Sequence, residues 1–160
     1  MESIASWERE LRINGVMFGR NRVVNYNSSL LVEIHRRPLS GLYEELNHLY
    51  WIVTHRGVLR KWGVHKNTTD TYSAVHGRLE VALWDGREES STYAETVTIE
   101  LVSENGEAIR IPPGVWHTFR SKTETSILMN SKSPGWNSED TDKTAHELSE
   151  SIPPFQWPEL

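Results

Sequence analysis

The sequence consists largely of short runs of β-branched and aromatic residues that are separated by turn-forming pairs. In "ETVTIELV" the apolar Val97, Ile99 and Leu101 alternate with polar residues, which indicates a strand with one buried face. Asp85-Gly86 and Asn105-Gly106 are typical turn pairs between such runs. Many short strands with frequent turns predict an all-β sandwich or barrel. Further strands are predicted in "LLVEIHR", "LYWIVTH", "TYSAVHG", "LEVALWD", "EAIRI" and "TSILMN".

The two ends of the chain depart from this pattern. Ile4, Trp7 and Leu11 have helical spacing and predict a short amphipathic N-terminal helix. The polar segment 131–149 predicts a loop that carries a short helix. Residues 152–160 contain three prolines, which exclude a regular helix and predict an extended tail that packs on the domain.

The composition narrows the functional classes. With 160 residues the chain is predicted to form a single domain over residues 1–160. A formal net charge of −5 argues against general nucleic-acid or anionic-membrane binding. The absence of cysteine excludes disulfides, thiolate catalysis and zinc–sulfur sites. The acidic N-terminus and the lack of an apolar run of ~20 residues predict a cytoplasmic protein without a membrane span.

Two motifs carry candidate chemistry. The first is "GVHKNTTDTYSAVHG", in which His65, Asn67 and Asp70 stand where a metal-binding cupin has His, His and Glu. The second is "GEAIRIPPGVWHTFRS", in which a tight Pro-Pro-Gly turn precedes a strand that would point His117 into a barrel mouth. In this order, and on an all-β background, the pair resembles a cupin jelly roll.

The first motif leaves a metal site open as an alternative. His65, Asp70 and His117 would supply two imidazoles and one carboxylate, which is the donor set of many non-haem iron sites. Asn67 stands in place of a histidine, and an amide is a poor ligand for such metals. The motif therefore permits either a metal-dependent cupin, such as an oxygenase, or a metal-free use of the same scaffold.

Longer segments narrow the resemblance. "GVLRKWGVH", "ALWDGREESSTY", "SENGEAIRIPPGVWHTF" and the terminal "FQWP" resemble the dTDP-4-dehydrorhamnose 3,5-epimerase family, and the match runs without a gap from Gly77 to Phe119. The resemblance implies reversible proton abstraction next to the ketone of a nucleotide-linked hexose, with no metal and no other cofactor. It also implies a homodimer that exchanges N-terminal strands.

The resemblance assigns roles to five residues. His65 corresponds to the catalytic base, and Glu150 corresponds to the acid that orients it. His117 is retained at the barrel mouth. Arg60 corresponds to a diphosphate contact, and Glu33 corresponds to an acid that contacts the base ring in the nucleotide subsite.

Other positions depart from the family. Its lysine near the substrate ketone falls on Asp70, its general-acid tyrosine falls on Asn130, and a phosphate-binding arginine is missing from "NSSL". An acid that faces a developing enolate opposes proton abstraction unless it points elsewhere or is protonated. Tyr72 shares a strand face with Asp70 and is expected to contact substrate. Trp84 is a candidate for sugar stacking, although a strand tryptophan more often packs in the core.

These observations predict a metal-free epimerase or isomerase that acts on a nucleotide-activated 4-keto-6-deoxy sugar, with His65 as its base. Loss of the family tyrosine and lysine favours a single epimerisation or a ketoisomerisation over a double epimerisation. One alternative is a metal-dependent cupin that uses His65, Asp70 and His117. Another is a member of the family that has lost epimerase catalysis and binds or transforms a different small molecule.

Overall fold

The strands lie in two antiparallel sheets that share one apolar core. The computed structural model describes residues 5–26, 29–34, 48–133, 143–146 and 155–157. The first sheet contains, in spatial order, β1 (Ala5–Glu10), β2 (Met17–Tyr26), β9 (Glu107–Ile111), β6 (Thr69–His76), β11 (Thr125–Ser133) and β4 (His48–His55), with β3 (Ser29–Glu33) paired to β2. The second contains β12 (Lys143–His146), β5 (Trp62–His65), β10 (Val115–Ser121), β7 (Arg78–Asp85) and β8 (Thr96–Val102).

The prediction of an all-β fold is confirmed. In the described residues, the helical structure is one 3-10 turn, Ser103–Asn105. That part of the chain contains no helix with the length and apolar character of a membrane span.

The predicted N-terminal helix is wrong, and the described parts of segment 131–149 are strands, not loop or helix. Ala5–Glu10 is a strand that pairs with β2, and Trp7 packs against Met129 and Ala108. The neighbouring strand satisfies the backbone hydrogen bonds of this segment, which outweighs its helical spacing. Lys143–His146 is likewise a strand, because it pairs with the free edge of β5 in the second sheet.

Strand alternation on β7 builds the two apolar layers of the protein. Leu79, Val81 and Leu83 point into the main core between the sheets, and all three are fully buried. Ala82 and Trp84 point to the opposite face, where a second cluster forms that includes Trp62, Trp116, Phe155 and Trp157. The proline-rich tail therefore packs against the outer face of the second sheet, as the sequence predicts for residues 155–157.

A buried carboxylate fixes the turn after β7. Asp85 accepts hydrogen bonds from Arg87 Nε at 2.7 Å, from Ser90 Oγ at 2.7 Å and from Thr92 Oγ1 at 2.6 Å. Burial alone would raise the pKa of Asp85, but the hydrogen bonds from Arg87, Thr92 and Ser90 outweigh it and lower the pKa to about 2.

This turn gives a prediction about stability. Because the folded pKa of Asp85 lies below its usual value of 3.8, its contribution to stability is present above about pH 4 and is lost as pH falls toward 2. We expect Asp85→Asn to lower the free energy of unfolding by about 2 kcal/mol at pH 7. Urea unfolding should show that the difference in the free energy of unfolding between Asp85→Asn and wild type is smaller at pH 3 than at pH 7. A difference that stays constant with pH would contradict an ionised Asp85 as its source.

Candidate active site

One end of the barrel interior is lined by ionisable side chains instead of apolar ones. β5 ends at His65, a short loop follows, and β6 then carries Asp70. β10 contributes His117, and β11 contributes Lys132, which stands directly opposite Asp70 in the antiparallel register. All four are between 1% and 6% exposed, so their charges must be compensated inside the protein.

Asp70 lies at the centre of this cluster. Its Oδ1 accepts a 2.6 Å hydrogen bond from Asn130 Nδ2 and lies 3.6 Å from Lys132 Nζ. Its Oδ2 lies 3.5 Å from His65 Nε2 and 3.6 Å from His117 Nε2. The carboxylate thus points into the site and is surrounded by an amide donor, two imidazoles and a cation.

The contact between Lys132 and His65 fixes the state of the imidazole. Lys132 Nζ lies 2.7 Å from His65 Nε2, which is hydrogen-bond distance. An ammonium only donates, and the nearby Asp70 carboxylate favours the ammonium form of lysine. His65 Nε2 is therefore the acceptor and carries a lone pair, as a general base requires.

His117 has the complementary arrangement. Its Nδ1 lies 3.0 Å from the carbonyl oxygen of Val115, and since a carbonyl only accepts, Nδ1 carries the hydrogen. Its Nε2 faces the Asp70 carboxylate at 3.6 Å. With an acceptor near each ring nitrogen, His117 is suited to donate hydrogen bonds or to carry a positive charge.

A cavity of about 390 Å³ adjoins the cluster. The cavity lies between the sheets, and His117 belongs both to its wall and to the cluster. Asn130, which donates to Asp70, also donates a 2.8 Å hydrogen bond to the hydroxyl of Tyr50 in the cavity wall. The guanidinium of Arg60 lies 5.2 Å from the ring centre of Phe119 at the same wall. The cavity is lined by Tyr50, Ile52, Val58, Leu59, Arg60, Lys61, Trp62, Gly63, Tyr72, His117, Thr118 and Phe119.

Two phenols in the cavity wall are held protonated at neutral pH. Burial, and next the Asp70 carboxylate, raise the pKa of Tyr50, although the hydrogen bond from Asn130 and the charge of Arg60 oppose the shift. Burial and then Asp70 raise the pKa of Tyr72 well above its usual value. Both phenols are therefore available as proton donors.

The structure brings five of the predicted site residues into the cluster or its immediate surroundings: His65, Asp70, Tyr72, His117 and Asn130. Arg60 lies in the cavity wall.

The remaining predicted residues lie elsewhere. Glu33 is on β3, in an ion pair with Arg22 at 3.4 Å. Trp84 belongs to the second apolar cluster, with its ring centre 6.4 Å from that of Trp116. Glu150 lies outside the described residues, so its role as the orienting acid stays a prediction.

Two site residues were missed by sequence reasoning, Lys132 and Tyr50. A signal for Lys132 was present, because it shares strand parity with the buried Leu128 and Asn130, so a lysine stands on the face of β11 that points into the core. Tyr50 gave no such signal, because it stands beside Trp51 in a strand rich in aromatic residues and looks like an ordinary strand residue. Its position follows from the register that pairs it with Asn130.

The fold and the site together define a cupin-type jelly-roll enzyme, and comparison with known proteins specifies the family. A family model for dTDP-4-dehydrorhamnose 3,5-epimerase matches residues 10–151. The chain belongs to this family of sugar-nucleotide epimerases.

Two known proteins are similar to this chain in sequence over more than half of its length. The probable low-salt glycan biosynthesis epimerase Agl13 of Haloferax volcanii is 32% identical over 115 residues, which are 71% of this chain and 74% of that protein. The spore coat polysaccharide biosynthesis protein SpsL of Bacillus subtilis is 29% identical over 93 residues, which are 58% of this chain and 62% of that protein.

Solved structures share the fold at lower identity. A dTDP sugar isomerase from Desulfovibrio desulfuricans G20 has a TM-score of 0.85 and 20% identity, covering 94% of this chain and 95% of that one. A dTDP-6-deoxy-D-glucose-3,5-epimerase from Legionella pneumophila, in complex with dTDP-4-keto-L-rhamnose, has a TM-score of 0.77 and 16% identity, covering 92% and 81%. At these identities the likeness concerns the jelly roll itself.

Proposed function

We propose that this protein is a metal-free epimerase or isomerase that removes and returns a proton next to the ketone of a nucleotide-activated 4-keto-6-deoxy sugar. The observation that carries the proposal is the 2.7 Å contact between Lys132 Nζ and His65 Nε2 inside a buried cluster. It combines an unprotonated imidazole with a cation, and abstraction of a proton next to a ketone requires both.

Each group in the cluster has a distinct part in this reaction. When substrate binds, the Lys132 ammonium turns from His65 Nε2 to the ketone oxygen. The freed Nε2 lone pair takes the proton from the carbon next to the ketone, and the C–H electron pair moves into the enolate. Lys132 and His117 stabilise the negative charge that develops on the ketone oxygen. Asp70 balances Lys132 in the resting protein and holds it by the 3.6 Å ion pair, so the acid at this position supports the chemistry that it first seemed to oppose.

The substrate class is inferred from the cavity and from the relatives. The half-buried guanidinium of Arg60 at the cavity wall suits a diphosphate, because arginine binds phosphate oxygens in bidentate fashion. The Legionella structure holds a dTDP-linked keto sugar on the same fold. The homodimer and the cytoplasmic location stay predictions.

Solvent deuterium exchange tests the proposal. The wild-type protein in D₂O should incorporate deuterium next to the ketone of a dTDP-4-keto-6-deoxyhexose, and NMR should detect the loss of the proton signal at C3 or C5. A mock reaction without protein measures spontaneous enolisation. Absence of protein-dependent exchange at both carbons, across several keto sugars, would sink the proposal and favour a family member without epimerase catalysis.

A metal-dependent reaction is a second candidate, because one ligand atom from each of His65, Asp70 and His117 lies within 4.8 Å of the others. Lys132 weighs against it, since its ammonium lies 2.7 Å from His65 Nε2 and would repel a divalent cation. Stoichiometric metal in the purified protein, together with loss of activity on chelation, would favour this candidate over the proposal above.

A further inference from the structure

Tyr50 lies in the cavity wall on a different sheet from the proposed base, His65. His65 belongs to β5 in one sheet, whereas Tyr50 belongs to β4 in the other. The cavity lies between the two sheets, and the Tyr50 side chain lines it. A sugar ring bound there would have one face toward β5 and β10, where Gly63 and His117 line the wall, and the other toward Tyr50 on β4.

The hydrogen bond from Asn130 determines what the Tyr50 hydroxyl can do. Asn130 Nδ2 has two hydrogens, and it donates one to Asp70 Oδ1 at 2.6 Å and the other to the Tyr50 oxygen at 2.8 Å. A flipped amide would place its oxygen against the Asp70 carboxylate, so this orientation of Asn130 is fixed. The Tyr50 oxygen is therefore an acceptor toward Asn130, and its own hydrogen is left to point elsewhere.

The same hydrogen bond favours release of that hydrogen, although burial and then the Asp70 carboxylate outweigh it and raise the pKa of Tyr50. When a phenol donates its proton, negative charge appears on its oxygen. The amide N–H at 2.8 Å stabilises this charge, and the positive charge of Arg60 acts in the same direction. Asn130 in turn is held by a carboxylate that is itself anchored by Lys132.

We propose that Tyr50 is the catalytic acid that protonates the enolate on the face opposite His65 and so inverts the carbon. The inference rests on the proposed function and names the group that completes it. His65 breaks the C–H bond and gains a proton, while Tyr50 donates its O–H proton to form the new C–H bond and becomes a phenolate. Exchange with solvent then removes the proton from His65 and returns one to Tyr50, so the cycle closes without an oxidant or reductant.

The test separates proton removal from inversion. In D₂O, wild type should form the epimer of a dTDP-4-keto-6-deoxyhexose with solvent deuterium at the inverted carbon. Tyr50→Phe should still wash deuterium into recovered substrate with retained configuration, because His65 returns deuterium to its own face. Epimer formation should fall by at least about 100-fold, the lower range for loss of a general acid.

Two further variants make the outcome specific. Tyr93→Phe removes a phenol that is 50% exposed and lies beside Trp84, with ring centres 6.5 Å apart, and it should behave as wild type. Tyr72→Phe removes the other phenol of the cavity wall. Loss of inversion in Tyr72→Phe but not in Tyr50→Phe would overturn the inference, as would an equal loss of exchange and inversion in Tyr50→Phe. Absence of exchange in wild type would overturn the proposed function itself.

Discussion

Replacement of His65 by asparagine should lower the rate of deuterium exchange next to the substrate ketone by about 100- to 10,000-fold, the range for loss of a general base. Asparagine can still occupy the hydrogen-bonding position beside Lys132 and Asp70, but it has no basic nitrogen. The variant is expected to fold, because it leaves the apolar core unchanged and keeps a polar side chain in the buried cluster.

Two histidine variants serve as comparisons for His65→Asn. His55 is exposed on β4, where it contacts Thr125 Oγ1 at 3.1 Å, and His55→Asn should exchange at the wild-type rate. His117→Asn keeps the base and removes a donor, so it should slow exchange less than His65→Asn does. If His117→Asn abolished exchange while His65→Asn retained it, the base would be His117, whose ring lines the cavity wall.

Strands whose apolar and polar residues alternate were predictable from the sequence. Strands that lack this alternation, and that form because they hydrogen-bond to neighbouring strands, were not. β8 alternates polar and apolar residues from Thr96 to Leu101, so its periodicity identifies it directly. β2 does not, because Arg20, Asn21 and Arg22 follow one another, yet it forms a strand that pairs with β1, β3 and β9. β1 has helical spacing and is a strand for the same reason. Hydrogen bonds to partner strands, which local periodicity does not reveal, decide these segments.

The same division applies to the site. His65 and His117 were predictable because each belongs to a local motif with a characteristic turn. The contact between Lys132 and His65 was not, because it joins residues 67 positions apart and depends on the register between β6 and β11. That register turns Asp70 from an isolated acid into one half of an ion pair. Sequence reasoning identified the anomaly at Asp70 and lacked the long-range pairing that resolves it.

Removal of the Lys132 ammonium should have an effect nearly as large as removal of the base. We expect Lys132→Met to lower kcat by about 100- to 1000-fold with little change in KM, because the enolate loses its cation while the binding contacts along the cavity remain. Lys122→Met is the matched control, since Lys122 is partly exposed and faces Glu80 at 3.9 Å, outside the cluster. Steady-state kinetics of epimer formation measures both variants.

A charge swap separates the catalytic role of Lys132 from its structural role. Lys132→Met leaves the buried Asp70 without its cation, which by itself can cost about 3–5 kcal/mol of stability. Asp70→Lys combined with Lys132→Asp preserves the cross-strand pair and the net charge, because the two positions stand opposite each other in the register. The swap keeps an ammonium in the same cluster. Its kcat should therefore be at least about tenfold higher than that of Lys132→Met, as expected for coupled neighbours. A swap that restores thermal stability but no activity would mean that Lys132 acts only as the structural partner of Asp70, and the enolate would then need another cation.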